Sequence, residues 1–447
     1  MKTIPLPRVL MLVPAIAFLA GQLGAQDNAE LLNRMKAMED RIKSLEAEVQ
    51  MLKGQAAAAA TPAPAPAPAQ PVPVVAQAPP DVSTPAQLGG AGGAAAKALN
   101  PDISVIGDFL GAVGNPANRP TPSLEMHETE VGFQEVIDPY ARADFFITFG
   151  EEGVSLEEGY LTFTSLPAGL QVKVGKMRAA FGKVNTMHNH VLPWTDRPLV
   201  TQDLVGGEDG IDDAGFSVSR VLPAPRGLFL EATGQIYRGD SLNVFRAYTR
   251  SDVSTVGHLR AYVDLSESTN LDVGGSYARG TSPFDLQGWN QLWGFDGTLR
   301  WKPLRRAIYH SFVGRTEMIW TRTSISSIVT QPFPGPSFVS HPLIKPSGYY
   351  VSADYQLGRR WFLGGRFDRS QRGACQPTNP MTIPNCNLPE TTLVQDTGGS
   401  LILTYWPSEF SQIRGQLRRT SYGNSFTTNE FLFQFQFSMG AHGAHPF

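Results

Sequence analysis

A short stretch near the C-terminus, Asn429–Met439, constrains the fold more than any other part of the chain. Polar residues fill most of the positions between four phenylalanines that recur at every second residue, Phe431, Phe433, Phe435 and Phe437. Period-two alternation indicates a β-strand with rings on one face and amides on the other. The polar face must meet water, whereas the aromatic face meets either a protein core or lipid. The strand by itself fits both a soluble β-sandwich and a transmembrane β-barrel.

The chain from 101 to 447 repeats this kind of alternation, which predicts an all-β fold. Amphipathic segments alternate with turns, and we expect sixteen strands. Their predicted bounds are 103–112, 125–137, 139–150, 156–166, 169–180, 212–222, 227–238, 255–266, 269–280, 292–302, 306–321, 347–357, 360–370, 394–406, 409–421 and 428–438.

The connections between these segments alternate between short and long. Short turns are predicted before Tyr140 and at 166–169, 222–227, 266–269, 302–305, 357–360 and 406–409. Longer loops are predicted at 112–124, 180–211, 239–254, 280–291, 322–346 and 371–393, with short exceptions at Gly150–Ser155 and near 422–427. Outer-membrane barrels have an even number of strands, short periplasmic turns and long outer loops. This parity predicts a 16-stranded antiparallel transmembrane β-barrel.

Charged side chains occur in mid-strand on the face opposite the aromatic residues. A protein core would leave these charges unpaired at high cost, so they indicate a water-filled interior. The candidate pore-lining residues are Arg142, Lys173, Arg260, Arg300, Lys302, Arg315, Arg366, Arg414, Arg418, Glu128, Glu130 and Asp144. Acids prevail in the early strands and bases in the later ones. This division predicts either a field across the pore that selects solutes or local ion pairs that merely hydrate the lumen.

The connection Phe181–Ile211 is one of the longest and is rich in charged and aromatic residues. A 16-stranded barrel is too wide for its own side chains to fill, so a loop folded inward would set the size and charge of the pore. The alternative is an outward surface loop. The candidate constriction residues are His188, His190, Trp194, Asp196, Arg197, Asp203 and Glu208.

The N-terminus resembles a secretory signal peptide over residues 1–25. Lys2 and Arg8 precede the apolar run Val9–Ala20, and cleavage is expected after Ala25. Residues 54–100 are rich in Ala, Pro and Gly and predict an extended linker.

Residues 27–53 predict a short coiled coil between the signal peptide and the linker. Apolar residues alternate at spacings of four and three, which is a heptad repeat, at Leu31, Met35, Met38, Ile42, Leu45, Val49 and Leu52. The flanking charges attract across a parallel, in-register pair. The pattern predicts a parallel homo-oligomer, either a dimer or a trimer, in the periplasm.

Composition excludes several classes of partner and chemistry. The net charge of −3 gives no general attraction to nucleic acid.

The two cysteines, Cys375 and Cys386, are expected to form a disulfide that closes a Pro-rich loop. His442 and His445 could hold a metal only loosely, so no metal site or cofactor is predicted. The sequence has no nucleophile-elbow or zincin motif, and no enzyme activity is expected.

Two stretches, 138–149 and 157–182, together with the coiled coil before a Pro/Ala linker, resemble bacterial outer-membrane porins. The resemblance is nearest to the phosphate-selective O/P-type porin family. It implies a trimeric, anion-preferring diffusion channel with basic residues along the lumen. Lys173, Lys176 and Arg178 lie in the matching stretch, and strand parity places Lys176 and Arg178 outward unless Gly175 forms a bulge.

Together these features predict an outer-membrane porin for passive diffusion of small hydrophilic or anionic solutes, phosphate among them. Two alternatives follow from the same residues. The coiled coil could tether the outer membrane to peptidoglycan, with the barrel as a lipid-embedded anchor. Metal-ion uptake is the other alternative and would use His188 and His190 as ligands.

Overall fold

The computed structural model describes residues 43, 101–115, 122–151, 153–225, 227–241, 243–329, 338–373, 391–423 and 426–440. The chain divides into two compact units, Met1–Ala86 and Gln87–Phe447. In the first unit only Lys43 is described, in a helical conformation. The signal peptide, coiled coil, linker, disulfide and histidine tail predicted above therefore lie outside the described residues, Lys43 excepted, and stay predictions.

Sixteen long strands form a closed antiparallel barrel in the part of the chain that the structure describes. Each strand pairs with its neighbours in the chain, and β1 also pairs with β16, so the sheet has no free edge. This confirms the predicted 16-stranded barrel. The strands are β1 (Asp102–Gly114), β2 (Leu124–Asp138), β3 (Ala141–Gly150), β4 (Gly153–Phe163), β5 (Leu170–Arg178), β6 (Asp212–Val221), β7 (Leu228–Tyr237), β8 (Ser254–Ser266), β9 (Thr269–Ser282), β10 (Asp285–Trp301), β11 (Phe312–Ser324), β12 (Ser347–Gln356), β13 (Trp361–Gly373), β14 (Leu393–Ser408), β15 (Ser411–Tyr422) and β16 (Phe426–Gly440).

Strand β15 illustrates how alternation assigns the two faces of the wall. Arg414, Gln416 and Arg418 are buried, whereas Ile413 and Leu417 are 46% and 55% exposed. Successive side chains of a strand point to opposite faces, and the buried polar face contacts the connection between β5 and β6. The polar face therefore lines the lumen, and the apolar face forms the outer surface.

The barrel closes where the aromatic face of β16 packs against glycines of β1. Gly107 pairs with Phe437 and Gly111 pairs with Phe433. A Cβ atom would lie 2.3 Å from Phe437 Cζ at the first glycine and 2.2 Å from Phe433 Cε1 at the second. The rings cover the glycine backbone, an arrangement that pins strand register. The first and last strands thus fit each other.

The long connections lie at one end of the barrel. The prediction of a loop at 280–291 is wrong. Strand β9 ends at Ser282 and β10 begins at Asp285, so a two-residue turn joins them. The Ser282 hydroxyl donates to the Ser324 carbonyl at 2.7 Å and accepts the Phe284 N–H at 3.2 Å. These bonds stabilise a tight hairpin where the polar sequence indicated a loop.

At the opposite end, the turn after β10 is longer than the predicted 302–305. The strand predicted from 306 begins at Phe312. Arg306 adopts φ 66°, and its carbonyl accepts the N–H groups of Tyr309 and His310. This local hydrogen bonding forms a turn in place of the first residues of the predicted strand.

Short elements occur in the connection after β11, where a loop was predicted. Ser327–Val329 pairs with Phe338–Ser340, and Leu343–Ile344 pairs with the end of β11. Among the described residues, no helix is long and apolar enough to cross a membrane.

Candidate functional site

The connection between β5 and β6, residues 179–211, crosses the lumen and is here called the inner loop. It contains the α-helix α1 (Leu199–Leu204) and two short 3-10 helices, Val184–Thr186 and Asn189–Val191. Its hydrogen bonds reach β2 and β4 on one side of the barrel and β11, β13 and β15 on the other. Because β4 and β13 lie seven strands apart by the shorter way round a ring of sixteen, the inner loop spans the lumen.

The inner loop carries an apolar core of its own into the barrel. Its buried side chains Phe181, Leu192 and Trp194 form one cluster with inward residues of the wall. Trp194 meets Tyr350 edge to face, with ring centroids 5.1 Å apart. The inward apolar residues of the wall, which the sequence did not indicate, are Tyr237, Val256, Ala278, Leu292, Ile319, Tyr350 and Ile402. Part of the lumen is therefore packed.

On one side, His188 and His190 attach the inner loop to an acidic patch of β2 and β4. His188 Nδ1 lies 2.5 Å from Glu130 Oε2, and its Nε2 lies 2.8 Å from Glu158 Oε2. His190 Nδ1 lies 3.3 Å from Glu128 Oε1. Burial acts to lower the pKa of His188, but Glu157, Glu130 and Glu158 outweigh it and raise the pKa well above the ordinary value. Each ring nitrogen of His188 therefore lies beside a carboxylate of the wall.

A register shift in β4 turns two consecutive acids toward the loop. Pairing with β3 slips between Phe146 and Ile147, and both Glu157 and Glu158 are buried. Arg178 forms an ion pair with Glu157, and its Nη1 donates to the Glu208 carbonyl at 2.9 Å. A β-bulge places an extra residue against the partner strand, which explains why alternation did not identify Glu157.

The structure places Arg178 inside the barrel, whereas strand parity assigns it an outward position unless Gly175 interrupts the alternation. Gly175 has φ 143°, and Met177 and Arg178 are both buried. The strict alternation of β5 ends at this glycine, so Arg178 enters the lumen and holds the end of the inner loop. Lys176 pairs with Asp212 at 2.8 Å.

On the opposite side, Asp196 binds two arginines of the wall. Its carboxylate accepts from Arg366 Nη2 at 2.9 Å, from Arg418 Nη1 at 2.7 Å and from Gln416 Nε2 at 2.5 Å. Arg414 Nη1 donates to the Trp194 carbonyl at 3.0 Å. Burial acts to raise the pKa of Asp196, but Arg366 and Arg418 overcome it and lower the pKa to about 2. These contacts are called the Asp196 clamp.

A third attachment uses backbone N–H groups of the inner loop. Glu317 of β11 accepts the N–H of Lys183 at 2.7 Å and that of Val184 at 2.6 Å. Lys183 Nζ lies 3.3 Å from Asp272 of β9. The start of the inner loop is thereby fixed against the wall between the other two attachments.

Arg197 stabilises the inner loop internally and does not face the lumen. It donates to Asn189 Oδ1 at 2.9 Å and to the carbonyls of Val184 and Met187 at 3.1 and 2.7 Å. Burial and the neighbouring Arg178 lower its pKa to about 10. Its predicted role as a constriction charge is replaced by one in shaping the loop.

Asp203 of α1 is an acid of the inner loop whose burial makes the stability of the fold depend on pH. Its Oδ2 atom is buried and accepts no hydrogen bond from the described residues. Burial and the nearby Asp396 raise its pKa to about 7. A carboxyl whose pKa is raised by folding stabilises the folded state most below its unfolded pKa, and the contribution is lost as pH rises toward the folded pKa.

We therefore expect the barrel to lose stability between about pH 4 and about pH 7 through this group. Asp203→Asn should remove that part of the decline, so the variant should gain in unfolding temperature relative to the wild type at pH 8 but not at pH 4. Heat-induced loss of the compact electrophoretic form in detergent measures the unfolding temperature. Asp209→Asn, on the exposed end of the same loop, is the matched control, and equal gains in both variants would contradict the assignment.

The other candidate pore-lining residues differ in exposure. Arg366, Arg414 and Arg418 are buried against the inner loop, as are Glu128 and Glu130. A second set lies in strands near the short-turn end, with the side chains of Arg142, Arg260 and Arg300 being 46%, 37% and 25% exposed. Lys302 lies in the turn that follows β10 and is exposed.

The second set consists mostly of ion pairs. Arg142 Nη2 lies 2.7 Å from Asp144, Arg260 Nη2 lies 2.8 Å from Asp272, and Arg315 pairs with Asp354. Arg300 lies 3.8 Å from Asp272, and Lys173 Nζ lies 4.3 Å from the centre of the Tyr160 ring. In this second set, acids and bases pair with close neighbours and do not form an acidic side opposite a basic side. The inner loop, in contrast, binds each side of the barrel through side chains of opposite charge.

Comparisons with known proteins give likenesses in sequence and architecture. No family model matches the chain. A protein of Aquifex aeolicus described as uncharacterised is 28% identical over 405 residues, which cover 78% of this chain and 81% of that protein. OprB of Pseudomonas putida is similar in structure, with a TM-score of 0.49 and 8% identity over 76% of this chain and 94% of its own. An anion-selective porin from Comamonas acidovorans gives a TM-score of 0.47 and 10% identity over 76% and 99%.

Proposed function

We propose that this chain forms a water-filled channel in a bacterial outer membrane, through which small hydrophilic solutes diffuse, with anions preferred. The observation that supports the proposal is a closed barrel whose outer face is apolar and whose inner face is charged. The signal peptide and the periplasmic coiled coil belong to the same proposal.

The outer face supports residence in a membrane. Leu401, Leu417 and Phe431 are paired in register across β14, β15 and β16, and they are 53%, 55% and 43% exposed. Monomeric soluble proteins rarely expose a continuous apolar surface of this kind. Closure of the sheet satisfies the backbone within the wall, which hydrocarbon requires. An outward apolar band around such a barrel is the arrangement that lipid covers.

The solvent-accessible charges of the lumen support an anion preference. Three acids, Asp144, Asp272 and Asp354, are paired with bases at the short-turn end. Lys173, Arg300 and Lys302 add three positive charges at this end, and Glu231 and Asp264 on the same face add two negative ones. Rings of basic side chains favour anions in pores, so the excess should attract anions to this part of the lumen.

Single-channel recording in planar lipid bilayers tests the proposal. The full chain should give discrete conductance steps, and its reversal potential in gradients of potassium chloride and potassium phosphate should show anion preference. Lys173→Gln combined with Arg300→Gln should shift the reversal potential toward cations. Arg220→Gln is the control, because Arg220 follows the outward parity of Phe216 and Val218 in β6.

Each outcome decides a different part of the proposal. Correctly folded protein that gives no conductance steps would overturn the channel function and favour the tethering alternative. Conductance steps that favour cations would overturn the anion preference but not the channel function. The same holds if the reversal potential of the Arg220→Gln control shifts as much as that of the Lys173→Gln/Arg300→Gln variant.

A further inference from the structure

Three side chains from the inner loop and β2 place metal-binding atoms close together. Glu130, His188 and His190 each offer one ligand atom, and these atoms lie within 4.8 Å of one another. His190 Nδ1 is 3.8 Å and His188 Nδ1 is 2.5 Å from Glu130 Oε2. Ligand atoms around a tetrahedral zinc ion are about 3.3 Å apart. Small side-chain movements would therefore bring all three onto one ion.

The second nitrogen of His188 has the partner that metal-binding histidines use. With Nδ1 toward Glu130, Nε2 lies 2.8 Å from Glu158 Oε2. A ligating histidine almost always donates its other N–H to a carboxylate, carbonyl or water, which fixes the ring and raises its basicity. Glu158 is thus a positioning residue for His188.

Burial and charge at this cluster also favour a cation. Glu130 and His190 side chains are each 1% exposed, and Glu130 Oε1 is buried with no hydrogen-bond partner among the described residues. A buried carboxylate oxygen without a donor is costly, and a bound ion would satisfy it. Glu128 Oε1, 3.3 Å from His190 Nδ1, lies within reach as a fourth ligand.

The set of donors selects the class of ion. Two imidazoles and a carboxylate suit zinc and other first-row divalent ions, whereas calcium and magnesium prefer oxygen ligands alone. We propose that Glu130, His188 and His190 bind a first-row divalent metal ion, zinc foremost, that fastens the inner loop to β2. The site would hold a resident ion and is distinct from transport of metal through the channel.

Calorimetric titration with zinc chloride tests this site in the detergent-solubilised full chain, purified with a tag that contains no histidine. We expect one ion per chain. The double variant His188→Ala/His190→Ala should lose binding, and Glu130→Gln, which keeps the size of the side chain, should weaken it roughly tenfold or more. The matched control is His442→Ala/His445→Ala, which should bind as the wild type does.

Heat-modifiable mobility in detergent shows whether each variant retains the barrel. If the double alanine variant does not fold, Glu130→Gln alone decides the matter. Unchanged zinc affinity in folded His188→Ala/His190→Ala or Glu130→Gln protein would overturn the proposal, as would loss of binding in the tail variant. The titration requires no conductance, so its result is independent of the channel function.

Discussion

Removing the inner loop should raise the single-channel conductance several-fold and enlarge the solutes that pass. The loop spans the lumen from β4 to β13 and fills part of it with its apolar core. A 16-stranded barrel without such a loop encloses a wide aqueous channel. The narrowest part of the path should therefore lie between the inner loop and the wall.

The ends of the inner loop permit a clean excision. The Ala179 N–H donates to the Ile211 carbonyl at 2.8 Å, so the chain enters and leaves the lumen at one point. Replacing residues 181–209 with Gly-Gly would close this gap without altering β5 or β6. Conductance in planar bilayers and liposome swelling with sugars of increasing size measure the result.

A shortened turn at the opposite end is the control for this excision. Residues 304–309 form the exposed turn between β10 and β11, and trimming them should leave the conductance unchanged. Retention of heat-modifiable mobility shows that the excised barrel still forms. If it forms and conducts as the wild type does, the inner loop is not the constriction.

Strand number and orientation could be predicted because they depend on local chemistry. A lipid-facing residue and a lumen-facing residue alternate along every strand, so β15 and β16 show their two faces in sequence. The predicted bounds of β16, 428–438, differ from the observed Phe426–Gly440 by two residues at each end. The turns at Ser282 and Arg306 depend on a few local hydrogen bonds, which the alternation of polar and apolar residues does not indicate.

Contacts of the inner loop could not be predicted in the same way, because they join distant parts of the chain. Asp196 and Arg418 are 222 residues apart in sequence, and His188 and Glu130 are 58 apart. The sequence identified these residues separately, as charges of a loop and of a wall. Their pairing depends on strand order and shear. Spacing within the motifs His188-Asn189-His190 and Glu128-Thr129-Glu130 was the available signal for the proposed metal site.

The Asp196 clamp leads to the second large effect. Asp196→Ala should release the middle of the inner loop and shift the channel further toward anions. The substitution leaves Arg366 with Asp368 at 2.7 Å and Arg418 with Glu430 at 2.6 Å, but it removes the acid that both arginines share. Breaking a buried ion pair by removing one partner costs about 3–5 kcal/mol, and the two remaining acids favour the lower figure.

The loss of a negative charge that two arginines share explains the direction of the shift in selectivity. Loss of one carboxylate makes the charge around Arg366 and Arg418 more positive by one unit, and anions in the neighbouring lumen should be attracted more strongly. The reversal potential in a potassium chloride gradient should move toward the anion limit, and the unfolding temperature should fall. Trypsin should also cleave after Lys183 faster than in the wild type, because the attachment of the inner loop is weakened.

Asp209→Ala is the matched control for this substitution, since Asp209 is an exposed acid of the same loop and its backbone carbonyl is unchanged by the variant. It should leave cleavage and unfolding temperature as they are, because no attachment to the wall depends on its side chain. Equal effects in the two variants would show that general loss of negative charge is responsible. An unchanged reversal potential and cleavage rate in Asp196→Ala would show that the clamp does not hold the loop, since a buried carboxylate shared by two arginines cannot be removed silently if the inner loop depends on it.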